Sequence, residues 1–397
     1  MLLLYLAKDN KIYYNIRMKE FNSGSKVICD KGKPHEYEYF LPENINKNFT
    51  IDNNKILVSL EEATRLLGEL NAYGTLVPDV NFFIQMHVTS EAVSSSKIEG
   101  TKTGMDEALL PAEEIDPEKR DDWQEVQNYI SAMNHAIENL VQLPVSARLI
   151  KETHRTLLSG VRGEHKMPGE IRTSQNWIGG ASINTAHFIP PHHTRLPGLL
   201  DDWEKFWHNT SSNIPILIKV AMCHYQFETI HPFLDGNGRI GRLLILLQLL
   251  ERGYLQSPVL YISDFFETHR QSYYDSLDRV RSHGDIDQWI LFFLEGVIET
   301  SKKSKKTFEN IIQLRSIFDQ KIITLGKRAR RARQLLERLF SKPVVNVKDV
   351  EKYLGVQYAA ANNLVSDLVE IGILREQTGY SRNRYFAMDD YIKLFRK

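Results

Sequence analysis

Residues 231–242 carry the residue types that chemistry on a phosphate needs. They spell HPFLDGNGRIGR and lead into apolar residues up to Leu250, a pattern that predicts a buried helix opened by a glycine-rich loop. The unpaired N–H groups of such a loop and the positive end of the helix dipole both attract anions. His231 is a candidate general base because histidine is neutral near physiological pH, and Asp235 is a candidate metal ligand. The guanidinium groups of Arg239 and Arg242 complete a set that suits the phosphates of a nucleotide.

This stretch resembles the signature of the Fic family, HxFxDGNGRxxR, and matches it at every fixed position. The resemblance implies a protein adenylyltransferase, which transfers AMP from ATP to a Ser, Thr or Tyr hydroxyl of a target protein or of itself. It implies that His231 takes the proton of the attacking hydroxyl and that Asp235 holds Mg²⁺ against the α- and β-phosphates. The implied ATP-binding residues of this stretch are Asp235, Gly236, Asn237, Gly238, Arg239 and Arg242, of which the two arginines would bind the β- and γ-phosphates.

Residues 95–100, SSKIEG, resemble the inhibitory motif of the same family, (S/T)xxxE(G/N), with Ser95 and Glu99 at its two key positions. The resemblance implies a salt bridge from Glu99 to Arg242 that occupies the place of the γ-phosphate. A carboxylate can do this because it competes with a phosphate for the same guanidinium fork. Without the downstream signature, the same residues would fit an ordinary helix end with Gly100 after the last turn.

Residues 168–180, followed by residues 188–191, resemble the flap of the family, a β-hairpin that covers the nucleotide. The resemblance implies that a target protein binds along the flap through main-chain hydrogen bonds, with little dependence on the target sequence. It also implies nucleotide contacts from Asn176, Trp177, Ile178 and Gly179. An ordinary surface hairpin is the alternative, because two consecutive glycines favour a tight turn.

Two adjacent tyrosines, Tyr273 and Tyr274, resemble an element that stacks on or hydrogen-bonds the adenosine in some members of the family. Aromatic faces suit a purine ring. Adjacent tyrosines on a helix are also common as half-buried packing residues, and both interpretations stay open at this point.

Composition favours a protein without a membrane-spanning segment and with more than one domain. The chain has 397 residues, enough for two or three domains, and its net charge of +0 creates no overall field that would select nucleic acid or a membrane. Its 2 cysteines, Cys29 and Cys223, do not suggest a disulfide framework, so we expect a cytoplasmic protein. The apolar residues 1–6 are too short for a signal peptide or a membrane span, and we expect a strand there.

The expected fold class is mainly α: a helical Fic core with a short β-hairpin flap, a strand-containing N-terminal segment and a C-terminal winged helix. Strand patterns occupy residues 11–16 and 35–40, whereas residues 58–300 show helical periodicity. We expect the following divisions: a strand-rich segment at 1–55, a helical region with the inhibitory helix at 56–115, the catalytic core at 116–300, a helical linker at 301–330 and a winged helix-turn-helix domain at 331–397.

The last part of the chain has an excess of Lys and Arg over Asp and Glu, and it resembles a winged helix-turn-helix domain. Residues 347–354 and 357–371 predict the two helices, and residues 373–386 predict a two-stranded wing. DNA binding, dimerisation and protein docking all remain open for such a domain. The side chains that could reach a DNA groove are those of Gln357, Asn362, Asn363, Arg382 and Arg384.

Three other functions compete with AMP transfer from ATP. Within the same fold, the protein could remove AMP from a modified protein, with Glu99 positioning a water molecule, or it could transfer another phosphate-containing group. From a different class, it could be a transcription regulator in which the core senses a nucleotide and the winged helix binds DNA.

Overall fold

Helices dominate the chain, which confirms the predicted fold class. In the computed structural model, residues 18, 20–33, 35–76, 80–161, 163–378 and 384–396 are described, and for residues 75, 76 and 80–83 the main chain alone is described. The helices are α1 (Asn54–Leu76), α2 (Val80–Ile98), α3 (Met105–Ala108), α4 (Arg120–Asn139), α5 (Ala147–Leu157), α6 (Leu196–His208), α7 (Ile216–Ile230), α8 (Asn237–Glu251), α9 (Ser263–Thr268), α10 (Arg270–His283), α11 (Ile286–Ile323), α12 (Ala329–Ser341), α13 (Val347–Leu354), α14 (Tyr358–Glu370) and α15 (Asp389–Ile392). None of the described helices is long and apolar enough to cross a membrane.

Helices α7 and α8 form the centre of the core. Nearly every residue of both helices is buried, because their apolar residues occupy all faces rather than one stripe. Two tryptophans bind neighbouring helices to α7 through their indole N–H groups: Trp203 of α6 donates to the carbonyl of Cys223 at 2.9 Å, and Trp289 of α11 donates to that of Ala221 at 2.8 Å. The loop between α7 and α8 is therefore held by a rigid pair of buried helices.

A two-stranded N-terminal hairpin lies beside the flap. Strand β1 (Gly24–Cys29) pairs antiparallel with β2 (Tyr37–Pro42), which confirms strand structure around the predicted residues 35–40. The main-chain N–H of Phe40 donates to the carbonyl of Ile189 at 3.0 Å and so connects β2 to the flap. The strands that the sequence predicts at residues 1–6 and 11–16 lie outside the described residues.

The flap has a single antiparallel bridge, between Ile178 and Phe188, rather than two regular strands. Its main-chain bonds run from Ile178 N to Phe188 O at 2.8 Å and from Phe188 N to Ile178 O at 3.1 Å. The positive φ angles of Gly179 and Gly180 carry the chain out of the bridge.

A small sheet and three helices form the C-terminal unit. Strands β3 (Val344–Asn346), β4 (Arg375–Glu376) and β5 (Tyr385–Ala387) make an antiparallel sheet in the order β3-β5-β4, next to α12, α13 and α14. Helix α11 is 38 residues long and continues without a break through residue 300, where composition suggested a division. Arg382, one of the residues proposed to face DNA, lies outside the described residues.

Candidate functional site

The loop from α7 to α8 is shaped by two left-handed residues and one asparagine. His231 ends α7 with φ at +49° and Gly236 precedes α8 with φ at +76°. The side chain of Asn237 accepts a hydrogen bond from the main-chain N–H of Phe233 at 2.8 Å and donates to its carbonyl at 2.9 Å. Asn237 therefore closes the loop through its side chain and leaves the first N–H groups of α8 to face a ligand.

The imidazole of His231 is half-buried and suited to act as a base. Its Nδ1 lies 3.4 Å from the carbonyl oxygen of Glu228, so a proton on Nδ1 leaves the lone pair on Nε2. Burial lowers the pKa of His231 to about 3, and the positive charges of Arg172 and Arg281 act in the same direction. The imidazole is consequently neutral at physiological pH and can accept a proton.

Arg239 and Asp235 lie side by side at the start of α8. Arg239 is buried, with its Nη1 at 3.1 Å from Glu125 Oε2 and its Nη2 at 3.6 Å from Asp235 Oδ1. Among the described residues, the buried Nε atom of Arg239 has no hydrogen-bond partner. The carboxylate of Asp235 is 44% exposed and accepts a hydrogen bond from Gly236 N at 2.6 Å. An exposed carboxylate beside a helix N-terminus, which can bind a phosphate, suits Mg²⁺, because this ion usually takes one or two carboxylates and completes its shell with phosphates and water.

Arg242 is bound by the last turn of α2 and by Glu99, which follows that helix. Its Nε donates to Ser95 Oγ at 2.9 Å, and its Nη2 donates to Ser95 O at 2.9 Å and to Glu99 Oε1 at 2.7 Å. Burial acts to lower the pKa of Arg242, but the carboxylate of Glu99 together with Tyr273, Tyr274 and Glu228 outweighs it and raises that pKa. For Glu99, burial acts to raise the pKa, and the guanidinium of Arg242 outweighs it and lowers the pKa. Both groups are therefore charged, and the structure brings together the pair that the motif implied.

A side chain at position 238 would have no room, because the ion pair lies against this part of α8. A Cβ atom at this position would lie 2.3 Å from Glu99 Oε1 and 2.9 Å from Arg242 Nη1. The carboxylate of Glu99 thus lies directly against the main chain of the loop, at the end of the helix where an anion would bind.

The flap is joined to the signature loop by Asn176. Its Nδ2 donates to the carbonyl of Phe233 at 2.9 Å, while its buried Oδ1 has no partner among the described residues. Next to it, Trp177 is 42% exposed, and Ile178 forms the flap bridge. The flap segment from Asn176 to Gly179 therefore begins at the signature loop in space, through the bond of Asn176 to Phe233.

The two tyrosines occupy different environments. Tyr273 is buried in the core, its ring stacks on Phe266, and its hydroxyl lies 2.9 Å from Nε2 of His224. Tyr274 is 37% exposed; partial burial raises the pKa of its hydroxyl, the charge of nearby Glu99 acts in the same direction, and the charge of Arg242 opposes it. Of the pair, Tyr274 is the residue with a surface that a nucleotide could contact.

Sequence reasoning missed two buried residues that hold the signature loop. His154 accepts a hydrogen bond from Gly169 N on Nδ1 at 2.8 Å, so its Nε2 carries the proton and donates to the carbonyl of Asp235 at 2.9 Å. The ring also stacks on Phe233 with centroids 3.7 Å apart. Arg172 donates to the carbonyl of His231 at 3.0 Å. Their acceptors are main-chain atoms, which leave no spacing pattern in a sequence.

Comparisons with known proteins agree with this architecture. Residues 57–138 match the model of the Fic/DOC family N-terminal region, and residues 144–249 match the model of the Fic/DOC family. Over 184 residues the chain is 32% identical to the protein adenylyltransferase Fic of Aedes aegypti and to that of Drosophila melanogaster, covering 46% of this chain and 34% of each relative. The chain thus spans about a third of the length of these curated relatives.

Solved structures share the fold at low sequence identity. A Fic family protein from Desulfovibrio desulfuricans superposes with a TM-score of 0.56 at 19% identity, covering 86% of this chain and 98% of that one. A Fic domain containing signaling protein from Bacteroides thetaiotaomicron superposes with a TM-score of 0.51 at 17% identity, covering 65% and 97%. Over residues 57–138 and 144–249, and in its fold, the chain is therefore similar to proteins of the Fic/DOC family.

Proposed function

We propose that the protein is a protein adenylyltransferase that transfers AMP from ATP to a hydroxyl of a target protein or of itself. The observation that carries this proposal is the position of a neutral imidazole, His231, beside a helix N-terminus that holds two buried guanidinium groups. The similar proteins named protein adenylyltransferase Fic support the same activity.

In this mechanism His231 Nε2 takes the proton from the attacking hydroxyl, whose oxygen then bonds to the α-phosphorus of ATP. The bond between the α-phosphorus and the bridging oxygen breaks, and pyrophosphate leaves. The N–H groups at Gly238 and the guanidinium groups of Arg239 and Arg242 stabilise the charge on the phosphates. Asp235 would hold Mg²⁺, which supplies further positive charge at the phosphates when bound.

Glu99 keeps this enzyme in an inhibited form. Its carboxylate is 2.7 Å from the buried guanidinium of Arg242, which the γ-phosphate needs for productive binding. Because a phosphate and a carboxylate accept from the same guanidinium donors, ATP can bind productively only when Glu99 leaves.

Labelled ATP tests the activity and separates AMP transfer from phosphate transfer. We expect the Glu99→Gly protein to incorporate label from [α-³²P]ATP into protein, whereas [γ-³²P]ATP gives none and wild type gives much less. Adding His231→Ala to Glu99→Gly should abolish the labelling without unfolding the protein, since the base is removed. His135→Ala on the exposed side of α4 is the matched control and should label like Glu99→Gly alone. Labelling that survives His231→Ala would contradict the assignment.

Removal of AMP from a modified protein is the alternative function. It is suggested by Glu99, because the ionised carboxylate of this residue lies near His231 and could orient a water molecule. An AMP-modified protein incubated without ATP distinguishes the two directions. Release of AMP by wild type and not by Glu99→Gly would assign the protein to the reverse reaction. Transfer of a group other than AMP would appear as a different added mass on the target.

The target protein binds along the flap in this proposal. The flap consists of two segments joined by the bridge, and the second of them, at Ile189, is already hydrogen-bonded to Phe40 of β2. The edge at residues 174–178 is therefore where we place an extended target segment, next to Asn176 and the signature loop.

The C-terminal unit is, in our proposal, a winged helix-turn-helix domain, because its order is helix, strand, helix, helix, strand, strand. Helix α14 contains no Lys or Arg, and Arg384 contacts Glu376 and Asn362, at 3.4 and 3.3 Å. This favours protein docking or homo-oligomer formation over DNA phosphate binding. Salt-sensitive retention of duplex DNA in a gel shift that changes with ATP would instead support a nucleotide-sensing transcription regulator.

The free thiols of Cys29 and Cys223 suit the cytoplasm, where we place the protein.

A further inference from the structure

We propose that Arg172 is a positioning residue for AMP transfer: one guanidinium fixes His231 and both ends of the flap relative to each other. This inference rests on the proposed adenylyltransferase activity and adds a residue that the family signature does not contain. Arg172 belongs to the first segment of the flap, residues 168–180, and precedes the residues that were expected to contact the nucleotide.

The guanidinium of Arg172 bonds to three separate parts of the chain. Its Nε donates to the carbonyl of His231 at 3.0 Å, its Nη1 to that of Ser174 at 3.1 Å and its Nη2 to that of Pro191 at 2.6 Å. In addition, its main-chain N–H donates to the carbonyl of Pro232 at 3.0 Å. The residue is 2% exposed, so water does not compete for these bonds.

The bond to His231 acts on a strained residue. His231 is one of the few residues other than glycine with a left-handed main chain, and its φ of +49° sets the direction in which the imidazole leaves the helix end. Because Arg172 Nε holds the carbonyl of that same residue, it opposes rotation of the His231 peptide. This constraint therefore fixes where the Nε2 atom of the imidazole lies in the site.

The other two bonds act on the flap. Ser174 precedes the bridged flap residues and Pro191 follows them, so Nη1 and Nη2 join the two ends of the flap. A target hydroxyl delivered by the flap must lie within hydrogen-bond distance of His231 Nε2 for proton transfer. The planar guanidinium therefore sets the distance between the target hydroxyl and the base, which a flexible lysine cannot do in the same way.

The charge of Arg172 has a second effect on the same imidazole. All of its three acceptors are neutral carbonyls, and burial lowers the pKa of Arg172 to about 10. Arg172 and Arg281 present positive charge to His231, and Glu99 opposes them, while the carbonyl of Glu228 also favours the protonated imidazole. Arg172 thus helps to keep His231 neutral.

Steady-state kinetics in the Glu99→Gly background test this role. Arg172→Lys keeps the charge and loses the fork, so we expect kcat for a protein target to fall by about 10²-fold, since a displacement of about 1 Å costs that much. The KM for ATP should stay within about twofold, because Arg172 is not among the groups that would bind phosphate. Arg148→Lys, at a 76% exposed position on α5, is the matched control and should leave kcat unchanged.

Arg172→Met separates position from charge. We expect its kcat to fall as in Arg172→Lys, and we expect the acid limb of its pH profile to lie at a higher pH than in Arg172→Lys, because His231 becomes easier to protonate without the nearby charge. Arg172→Lys should show no such shift. A residue with a purely structural role would lower the folded fraction, which circular dichroism reports, without moving the pH profile.

Hydrogen exchange of the Arg172 Nε–H tests its bond to the carbonyl of His231 without a substitution at Arg172. It is measured in Glu99→Gly protein labelled with ¹⁵N-arginine. We expect slow exchange compared with the exposed Arg148. Fast exchange, or equal kcat and pH profiles for Arg172→Lys, Arg172→Met and their parent, would overturn the positioning role. Absence of AMP transfer in the Glu99→Gly parent itself would overturn the proposed function instead.

Discussion

Arg242 shows how a single buried charge can be held ready for a ligand. The guanidinium is 1% exposed and is satisfied by one hydroxyl, one main-chain carbonyl and one carboxylate. Removing the partner of a buried charge is strongly destabilising unless another anion replaces it. A γ-phosphate can replace the carboxylate of Glu99, and this is why ATP and Glu99 compete in our account.

Two adjacent serines on α2 give a test of the Arg242 contacts. Ser95 and Ser96 are both fully buried, but Ser95 Oγ accepts from Arg242 and Ser96 Oγ has no partner among the described residues. Ser95→Ala leaves a buried charged donor unpaired, so we expect the free energy of unfolding to fall by about 1–3 kcal/mol. Ser96→Ala removes an unsatisfied hydroxyl and should leave that free energy unchanged or raise it. Chemical denaturation of both variants measures this, and an equal loss in the two would contradict the contact.

Glu228 gives a test based on pH. Burial raises the pKa of this carboxyl to about 7, and its Oε1 has no hydrogen-bond partner among the described residues. The folded protein therefore holds the proton more tightly than the unfolded chain, whose glutamate pKa is about 4.3. Stability should decline as the pH rises from the unfolded to the folded pKa and then level off.

Glu228→Gln removes this ionisation and should flatten the decline. We expect the variant to gain stability relative to wild type as the pH rises from about 4 to about 7, measured by urea denaturation across that range. Parallel stability curves for the two proteins would show that Glu228 ionises freely in the folded state.

At the residue scale, spacing indicated the groups that we propose act on a ligand, but not the buried groups that hydrogen-bond to their loop. The motif around Ser95 and Glu99 pointed to Arg242, and the structure brings the three together. His154 and Arg172 could not be found in this way, because each binds main-chain carbonyls. A lone histidine on a helix or a lone arginine in a loop has no sequence signal for such a role.

Among the elements, the close packing of α7 on α8 depends on a glycine. A Cβ atom on Gly241 of α8 would lie 2.1 Å from Glu228 Oε1 and 3.3 Å from the ring of Phe227, both on α7. The third glycine of the signature stretch therefore has a packing role that is separate from ligand binding.

Gly241→Ala should consequently destabilise the protein. We expect a loss of about 1–3 kcal/mol in the free energy of unfolding, because the buried carboxyl of Glu228 must move to make room. Gly68→Ala on α1 is the matched control: a Cβ atom there meets nothing within 4 Å, and alanine favours a helix by about 0.5–1 kcal/mol. Thermal unfolding of both variants should shift in opposite directions. A stabilised Gly241→Ala would contradict the packing.

The helices were predictable because apolar residues recur at helical spacing, as in α4 and α13. The short hairpin expected for the flap pairs through a single antiparallel bridge in its described residues. Its order comes from the side chains of Asn176 and Arg172 and from the contact with β2, which are long-range contacts that local propensity does not contain.

In the whole molecule, α2 lies between the candidate site and the C-terminal unit. Its end contacts Arg242 of α8, and it also packs against α12. Arg396 adds an ion pair with Asp106 of α3, the helix that follows α2, at 2.6 Å. The sequence resemblance stopped near residue 300 and gave no indication of this packing, because the contacts join segments hundreds of residues apart.

A crystal structure of the Glu99→Gly protein with Mg²⁺ and ATP tests the central claim most directly. We predict that the γ-phosphate hydrogen-bonds to Arg242 in the place of the missing carboxylate, with the α-phosphorus in front of His231 Nε2. A triphosphate bound away from the first turn of α8, or an imidazole turned out of reach of the α-phosphate, would contradict the account.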